Sequence, residues 1–210
     1  MKFKLILSDV DSTLIREEVI DLLAAHAGHE NEVSAVTAKA MAGDLDFRQA
    51  LMERVKFLEG LSDSVFEEVA SQITLSPGAL ELRAFCRENQ IKFGAVSGGF
   101  HQVLERVPFF RSLDYLVANS LVVVDRRLTG MVKEPIIDRE EKARHLNLFA
   151  QSHGIDIAET IAIGDGANDL LMLEQSGFGV AFKAKPILRE VAALSIEEDL
   201  ADLISILKTS

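Results

Sequence analysis

The chain has 210 residues, 48% of them hydrophobic and 26% charged, which suits one large globular domain, or a core with a smaller appendage. A net charge of −11 excludes broad binding to nucleic acid or to an anionic membrane, since both need a surplus of Lys and Arg; a small anionic ligand held by a few local cations stays open. The single cysteine, Cys86, excludes an internal disulfide and a multi-cysteine zinc site, and reads as a buried apolar residue in a reducing, cytoplasmic setting.

The opening MKFKLILSDVD has lysines followed by an apolar run. That run is too short for a secretion signal and ends in acidic residues. No uninterrupted apolar stretch is long enough to span a membrane. Residues 3–8 read as a buried strand that stops at once in polar turn residues. Helical spacing follows at Glu17–Ala27, stopped by Gly28, and at Glu30–Ala42, stopped by Gly43. A third helix is capped by Asp46, with Phe47, Leu51, Val55 and Leu58 on one face. A fourth runs to about Ile73, opened by Ser64 and Glu67 in the pattern of a capping box. Residues 15–75 hold no convincing strand and read as a helical insertion.

Alternation begins after that. Ser76-Pro77 starts a helix that carries Cys86. IKFGAV (91–96) is a strand, which SGGF turns into another helix, interrupted by Pro108. DYLVA is a strand, and LVVVDRRLTGMV is a hairpin around Asp125, Arg126 and Arg127, with a solvated tip. A helix spans roughly Asp138 to His153. TIAIGDGAND is a strand, a turn and a helix start. GVAF is a strand, and the C-terminus ends with helical periodicity. Strands alternating with helices imply a doubly wound, mostly parallel, Rossmann-like α/β sheet, with the helical insertion as a cap. The expected division is a core of 1–14 and 76–210 and a cap of 15–75.

Three polar loops end three strands. LSDVDSTL puts Asp9 and Asp11 two positions apart, on one side of an extended chain. Such a pair can hold a hard cation or divide the roles of acid and base; alone, the triplet is more often a solvated loop. GDGAND offers Asp165, Asn168 and Asp169, and VSGGF offers Ser97, Gly98 and Gly99 ahead of a helix. In a parallel sheet these carboxyl ends share one edge, where ligands bind. Asp9, Asp11 and Asp165 supply oxygens suited to Mg²⁺, and the glycine turn can aim backbone N–H groups at an anion. Lys142 can add a positive charge, although its local setting beside Glu140 and Glu141 reads as a solvated lysine. His26, His29, His101, His145 and His153 show no paired ligand spacing and read as surface or loop residues.

DVDST, VSGG, Lys142 in REEKARHL, and GDGANDL resemble, in this order, the four motifs of the haloacid-dehalogenase-like phosphatases. REEVIDLLAAHAG, AMAGDLDFRQALMERV, SPGA and AKPIL extend the resemblance over essentially the whole chain, towards the branch of that family that acts on O-phosphoserine. Val10 and Ser8 depart from that branch, where phenylalanine and an apolar residue are usual. The resemblance implies Mg²⁺-dependent hydrolysis of O-phosphoserine to serine and phosphate through an aspartyl-phosphate, the last step of serine biosynthesis.

On the same basis, Asp9 is the nucleophile and Asp11 the acid and then the base, with its backbone carbonyl on the metal. Asp165 is the third metal ligand, supported by Asp169. Ser97, Gly98 and Lys142 grip the phosphoryl oxygens, and Asn168 lies near nucleophile and substrate. Glu18 and Arg54 hold the ammonium and carboxylate of the amino acid, and Phe47 closes over them. The expected partner is a small phosphorylated amino acid, with neither nucleic acid nor membrane. Three rival expectations are transfer of the phosphoryl group to homoserine, hydrolysis of another small phosphorylated metabolite, and a catalytically silent module that binds phosphorylated ligands.

Overall fold

The computed structural model describes residues 2–42 and 44–210; Gly43, read as a helix stop, lies outside them. The chain begins with β1 (Leu5–Ser8) and four helices, α1 (Val19–Ala27), α2 (Glu30–Ala42), α3 (Phe47–Lys56) and α4 (Val65–Gln72). Next come α5 (Ala79–Glu88), β2 (Lys92–Phe100), α6 (His101–Leu104), α7 (Pro108–Arg111), β3 (Tyr115–Asn119) and the pair β4 (Leu121–Val124) and β5 (Arg127–Val132). The remainder is α8 (Arg139–Ser152), β6 (Thr160–Gly164), α9 (Leu170–Gln175), β7 (Phe178–Phe182), α10 (Pro186–Arg189), β8 (Leu194–Ile196) and α11 (Leu203–Thr209).

Six strands form one parallel sheet in the order β3-β2-β1-β6-β7-β8. Each strand turns alternate residues to opposite faces. Leu5 and Leu7 pack on one side with Leu146 and Phe149 of α8, Met172 of α9 and Leu188 of α10. Ile6 packs on the other with Leu82 and Cys86 of α5, Val103 of α6 and Leu203 of α11. Burial on both faces explains why β1 is a continuous apolar run. Burial also pushes the Cys86 thiol up to about 12, so it is inert. The order reverses at β1, with β2 on one side and β6 on the other, which makes the carboxyl end of β1 the crevice of the sheet.

Among the described residues of 15–75 there are four helices and no strand. The two linkers run side by side: Ile15 and Leu75 form a single antiparallel bridge, and Arg16 N–H donates to the Thr74 carbonyl at 3.0 Å. The helices share the core of the Ile6 side, where Leu51, Val55 and Val69 join one apolar cluster with Phe100 and Leu121. The hairpin β4–β5 stands apart from the main sheet. Its two-residue tip, Asp125-Arg126, has φ of 47° and 61°, as a tight hairpin requires.

That tip is exposed, as expected, but it is also docked. Gly60 N–H donates to the Leu128 carbonyl (2.8 Å), Leu128 N–H to Leu61 (2.9 Å) and Asp63 N–H to Arg126 (3.0 Å). Arg126 pairs with Asp63 at 3.1 Å, and Arg127 donates to the Gly60 carbonyl at 2.7 Å. The reading of a merely solvated tip missed the loop between α3 and α4 as its partner.

Other boundaries shift for local reasons. Asp46 does cap α3, accepting from Gln49 N–H while the Gln49 side chain accepts from Asp46 N–H. Ser64 makes no such cap, because its hydroxyl donates to Ser62 instead. The helix expected from Ser76-Pro77 starts at Ala79, behind Gly78. β2 continues through SGGF to Phe100 before α6 begins. β8, with three residues, was absent from the sequence reading.

Gly78 has φ +77°, and a Cβ there would meet Asp199 Oδ1 and the Ala201 amide. Gly78→Ala therefore combines backbone strain with a clash and should destabilise the fold by about 2 kcal/mol or more, read as a fall in the urea midpoint at unchanged slope.

Candidate active site

β1 ends at Ser8, and Asp9 N–H donates to the Ile163 carbonyl at 2.8 Å. The chain thus stays paired to β6 for one more residue, and Asp9 and Asp11 both face a cleft of about 750 Å³. One wall is the strand-end rim: Asp9, Asp11, Gly98, Gly99, Asp165 and Asn168. The other wall is Glu18 and residues of α1 to α3, including Phe47 and Arg54. Ser97 and Lys142 lie beneath the rim, fully buried. Every sequence-predicted site residue is therefore in the cleft or directly under it.

The centre is an ion cluster. Lys142 Nζ donates to Asp9 Oδ1 at 2.5 Å and to Asp169 Oδ1 at 2.7 Å. Asp138 caps α8 by accepting from Glu141 N–H at 3.0 Å, which places Lys142 in an early turn of that helix, aimed at the rim. The local expectation of a solvated lysine is overturned; its partner Asp9 is 133 residues away, so neighbours in sequence could not reveal it. Burial alone would depress the Lys142 pKa, but the Asp169 and Asp9 carboxylates outweigh it and hold the ammonium charged.

Asp169 is fully spoken for: its second oxygen accepts from Asp165 N–H (3.2 Å) and Gly166 N–H (3.1 Å). It fixes the GDGAND turn, and Gly164 has no room for a Cβ beside it.

Asp11 is held separately. Its Oδ1 accepts from Val19 N–H at the start of α1 (2.7 Å) and its Oδ2 from Ser97 Oγ (2.8 Å); Ser97 Oγ in turn accepts from Gly99 N–H (2.7 Å). Burial raises the Asp11 pKa, and these donors hold the rise back. Burial, then the Asp169 charge, raises Asp9 well above the usual carboxylate range, against the pull of Lys142.

Asp165 is pushed up to about 6 by burial and by Asp169. Carboxylate oxygens of Asp9, Asp165 and Asp169 all lie within 4.8 Å of one another. Three acids with one lysine leave uncompensated negative charge, and hard oxygen donors fit a hard divalent cation. With Asp169 occupied, Asp9 and Asp165 are the side chains free to bind it. The Asp11 carboxylate stands outside this cluster.

On the opposite wall, Glu18 Oε1 accepts from Ser12 Oγ at 2.7 Å. Desolvation by the surrounding protein and the Asp11 charge push Glu18 up to about 7, although the residue is exposed to solvent at the cleft wall. Arg54 donates to the Ala50 carbonyl one turn earlier at 3.2 Å; desolvation lowers its pKa, and Glu18 and Asp21 oppose that. Phe47 sits directly over Gly98, so a Cβ at Gly98 would meet its ring at 2.9 Å. The cleft also has two cations that sequence reasoning passed over, Arg139 and Lys185. Arg139 opens α8, and Lys185 N–H donates to the Asp165 carbonyl at 2.9 Å. His145, expected on the surface, is buried with its Nδ1 at 2.7 Å from the Tyr115 hydroxyl.

The fold and this rim define a hydrolase of the haloacid dehalogenase-like family: the family model matches residues 6–174, and the chain belongs to that family. Within it, the chain is 48% identical to a phosphoserine phosphatase of Streptococcus thermophilus over 97% of its own length and 95% of the relative's. It is 49% identical to a phosphoserine phosphatase of Streptomyces coelicolor over 96% of its length, and spans about half (49%) of that longer protein. A solved structure described as a phospho-aspartyl intermediate analogue of phosphoserine phosphatase superposes with a TM-score of 0.90 at 39% identity, over 98% of this chain and 99% of that one.

The acid cluster has a cost that pH exposes. Asp165 titrates near 6 in the fold against about 3.9 in an unfolded chain. Between those values the folded state binds more protons, so this group's contribution to stability falls as pH rises and stays lost above about 6. In EDTA, Asp165→Asn should therefore stabilise the protein at pH 8 by on the order of 2 kcal/mol, and the gain should vanish near pH 4; paired urea titrations at the two pH values measure it.

Proposed function

We propose that this protein is a Mg²⁺-dependent phosphomonoesterase that hydrolyses O-phosphoserine to serine and phosphate through an aspartyl-phosphate on Asp9. The observation that carries the reading is the meeting of two carboxylates of different kinds in one cleft. Asp9 is bonded to a buried ammonium, and Asp11 is bonded to a hydroxyl and a helix amide.

Asp9 Oδ2, the oxygen not engaged by Lys142, attacks phosphorus in line with the departing serine oxygen. Lys142 neutralises charge on the nucleophile and the transferring group. Ser97, with the amides of the Gly98–Gly99 turn, lines the phosphoryl cradle. Asp11, with its pKa raised by burial, protonates the serine oxygen as the P–O bond breaks. It then takes a proton from the water that attacks the aspartyl-phosphate, releasing phosphate and restoring Asp9. Asp9, Asp165 and the Asp11 carbonyl would hold Mg²⁺, which supplies positive charge that keeps Asp9 ionised and offsets its repulsion from the phosphate.

The helices over the rim read as a cap, residues 15–75, that recognises the amino acid. Glu18 takes the ammonium and Arg54, with a planar fork suited to two oxygens, takes the carboxylate. Asn168 lies beside both nucleophile and leaving group. Phe47 over Gly98 keeps bulk water from the phosphoryl group during attack, and the cap must open for exchange. Among the described residues no helix is long and apolar enough to cross a membrane, and the substrate is a small metabolite of the cytoplasm, in keeping with a step of serine biosynthesis.

Phosphate release from O-phosphoserine should need Mg²⁺ and stop with EDTA. Asp9→Asn should abolish it, with turnover at least about 10⁴-fold down; normal turnover in that variant would remove Asp9 as nucleophile. Added homoserine should not divert the phosphoryl group. Arg54→Ala should lower kcat/KM for O-phosphoserine by about 10²-fold while sparing sugar phosphates, and equal loss on both would point to another phosphorylated metabolite.

A further inference from the structure

β2 and β3 fall out of step at the rim. Ser97 faces Ala118, and the next paired residues are Phe100 and Asn119, so Gly98 and Gly99 bulge out with no strand partner. The Asn119 side chain spans that bulge. It is 1% exposed; Nδ2 donates to the Gly98 carbonyl at 2.8 Å, and Oδ1 accepts from Ile137 N–H at 2.8 Å. A carbonyl can only accept and an amide N–H can only donate, so the orientation of the side-chain amide is fixed by its partners.

Both contacts bear on the cluster. The Gly98 carbonyl and the Gly99 N–H belong to one peptide unit, and that N–H donates to Ser97 Oγ. Asn119 and Ser97 thus clamp the cradle's peptide from its two ends. Ile137 immediately precedes Asp138, the cap of α8, and α8 delivers Lys142 to Asp9. One side chain therefore ties the phosphoryl cradle to the start of the helix that supplies the cation opposite it.

We infer that Asn119 is a positioning residue that sets the spacing between the Gly98–Gly99 cradle and Lys142 for the transferring phosphoryl group. The inference rests on the proposed phosphatase reaction and adds to it a residue that touches neither substrate nor metal.

The test uses Asn119→Leu, which loses both bonds, and Asn119→Asp, which keeps the acceptor for Ile137 and loses the donor to Gly98 when ionised. Gln102→Met is the control; it removes neighbouring bonds of similar kind, to the Leu121 amide and carbonyl, without touching the cradle. Each is assayed with Mg²⁺ on O-phosphoserine and on p-nitrophenyl phosphate, well below its melting temperature. Asn119→Asp should lower kcat by about 10-fold or more on both substrates with little change in KM, as expected when supports of a reacting centre loosen. Asn119→Leu should lose at least as much, and Gln102→Met should stay near wild type. Wild-type kcat in Asn119→Leu, or equal losses in Gln102→Met, would overturn the assignment. Wild type that cleaves p-nitrophenyl phosphate but not O-phosphoserine would sink the proposed substrate and still leave the Asn119 comparison readable.

Discussion

The site depends on one buried ammonium. Lys142 has no solvent contact and lies between two carboxylates that would otherwise repel each other. Removing the ammonium would leave buried carboxylates uncompensated, at a cost of about 3–5 kcal/mol. The two carboxylates therefore require the lysine, which bridges them. The arrangement does not balance: two carboxylates already exceed one ammonium, and Asp165 adds a third acid nearby. An excess of hard oxygen donors at a strand-end rim fits a divalent cation.

The sheet supplies the meeting place. β1, β2 and β6 end at one edge, so residues from positions 9 to 11, 97 to 99 and 165 to 169 converge although far apart in sequence. α8 approaches the same edge with its capped N-terminus. The helices above form the other wall of the cleft, with Glu18 and Arg54 facing the strand-end rim. The rim residues sit on strand ends and on α8, and the facing helices are joined to the sheet through two adjacent linkers.

Much of this was legible in the residues, for definable reasons. Strands buried on both faces read as unbroken apolar runs, so β1, β6 and β7 stood out. Asp46 and Asp138 marked helix starts because they satisfy exposed amides. What stayed hidden depends on distant contacts. REEKARHL gives no sign that Lys142 is buried, and only the ordered set of motifs pointed to its role. Asn119, in YLVANS, looks like an ordinary strand-end polar residue; its two partners are 21 and 18 residues away. Ser64 has the residues of a cap, yet a nearer hydroxyl captured it. β8 is too short to show any period.

The docking of the hairpin on the loop after α3 has a mechanical consequence. Residues 60–63 cover the outer margin of β5 much as an additional strand would. Swinging the helices away at that end would strip three main-chain bonds and leave raw ladder groups facing water, the kind of margin that invites pairing between molecules.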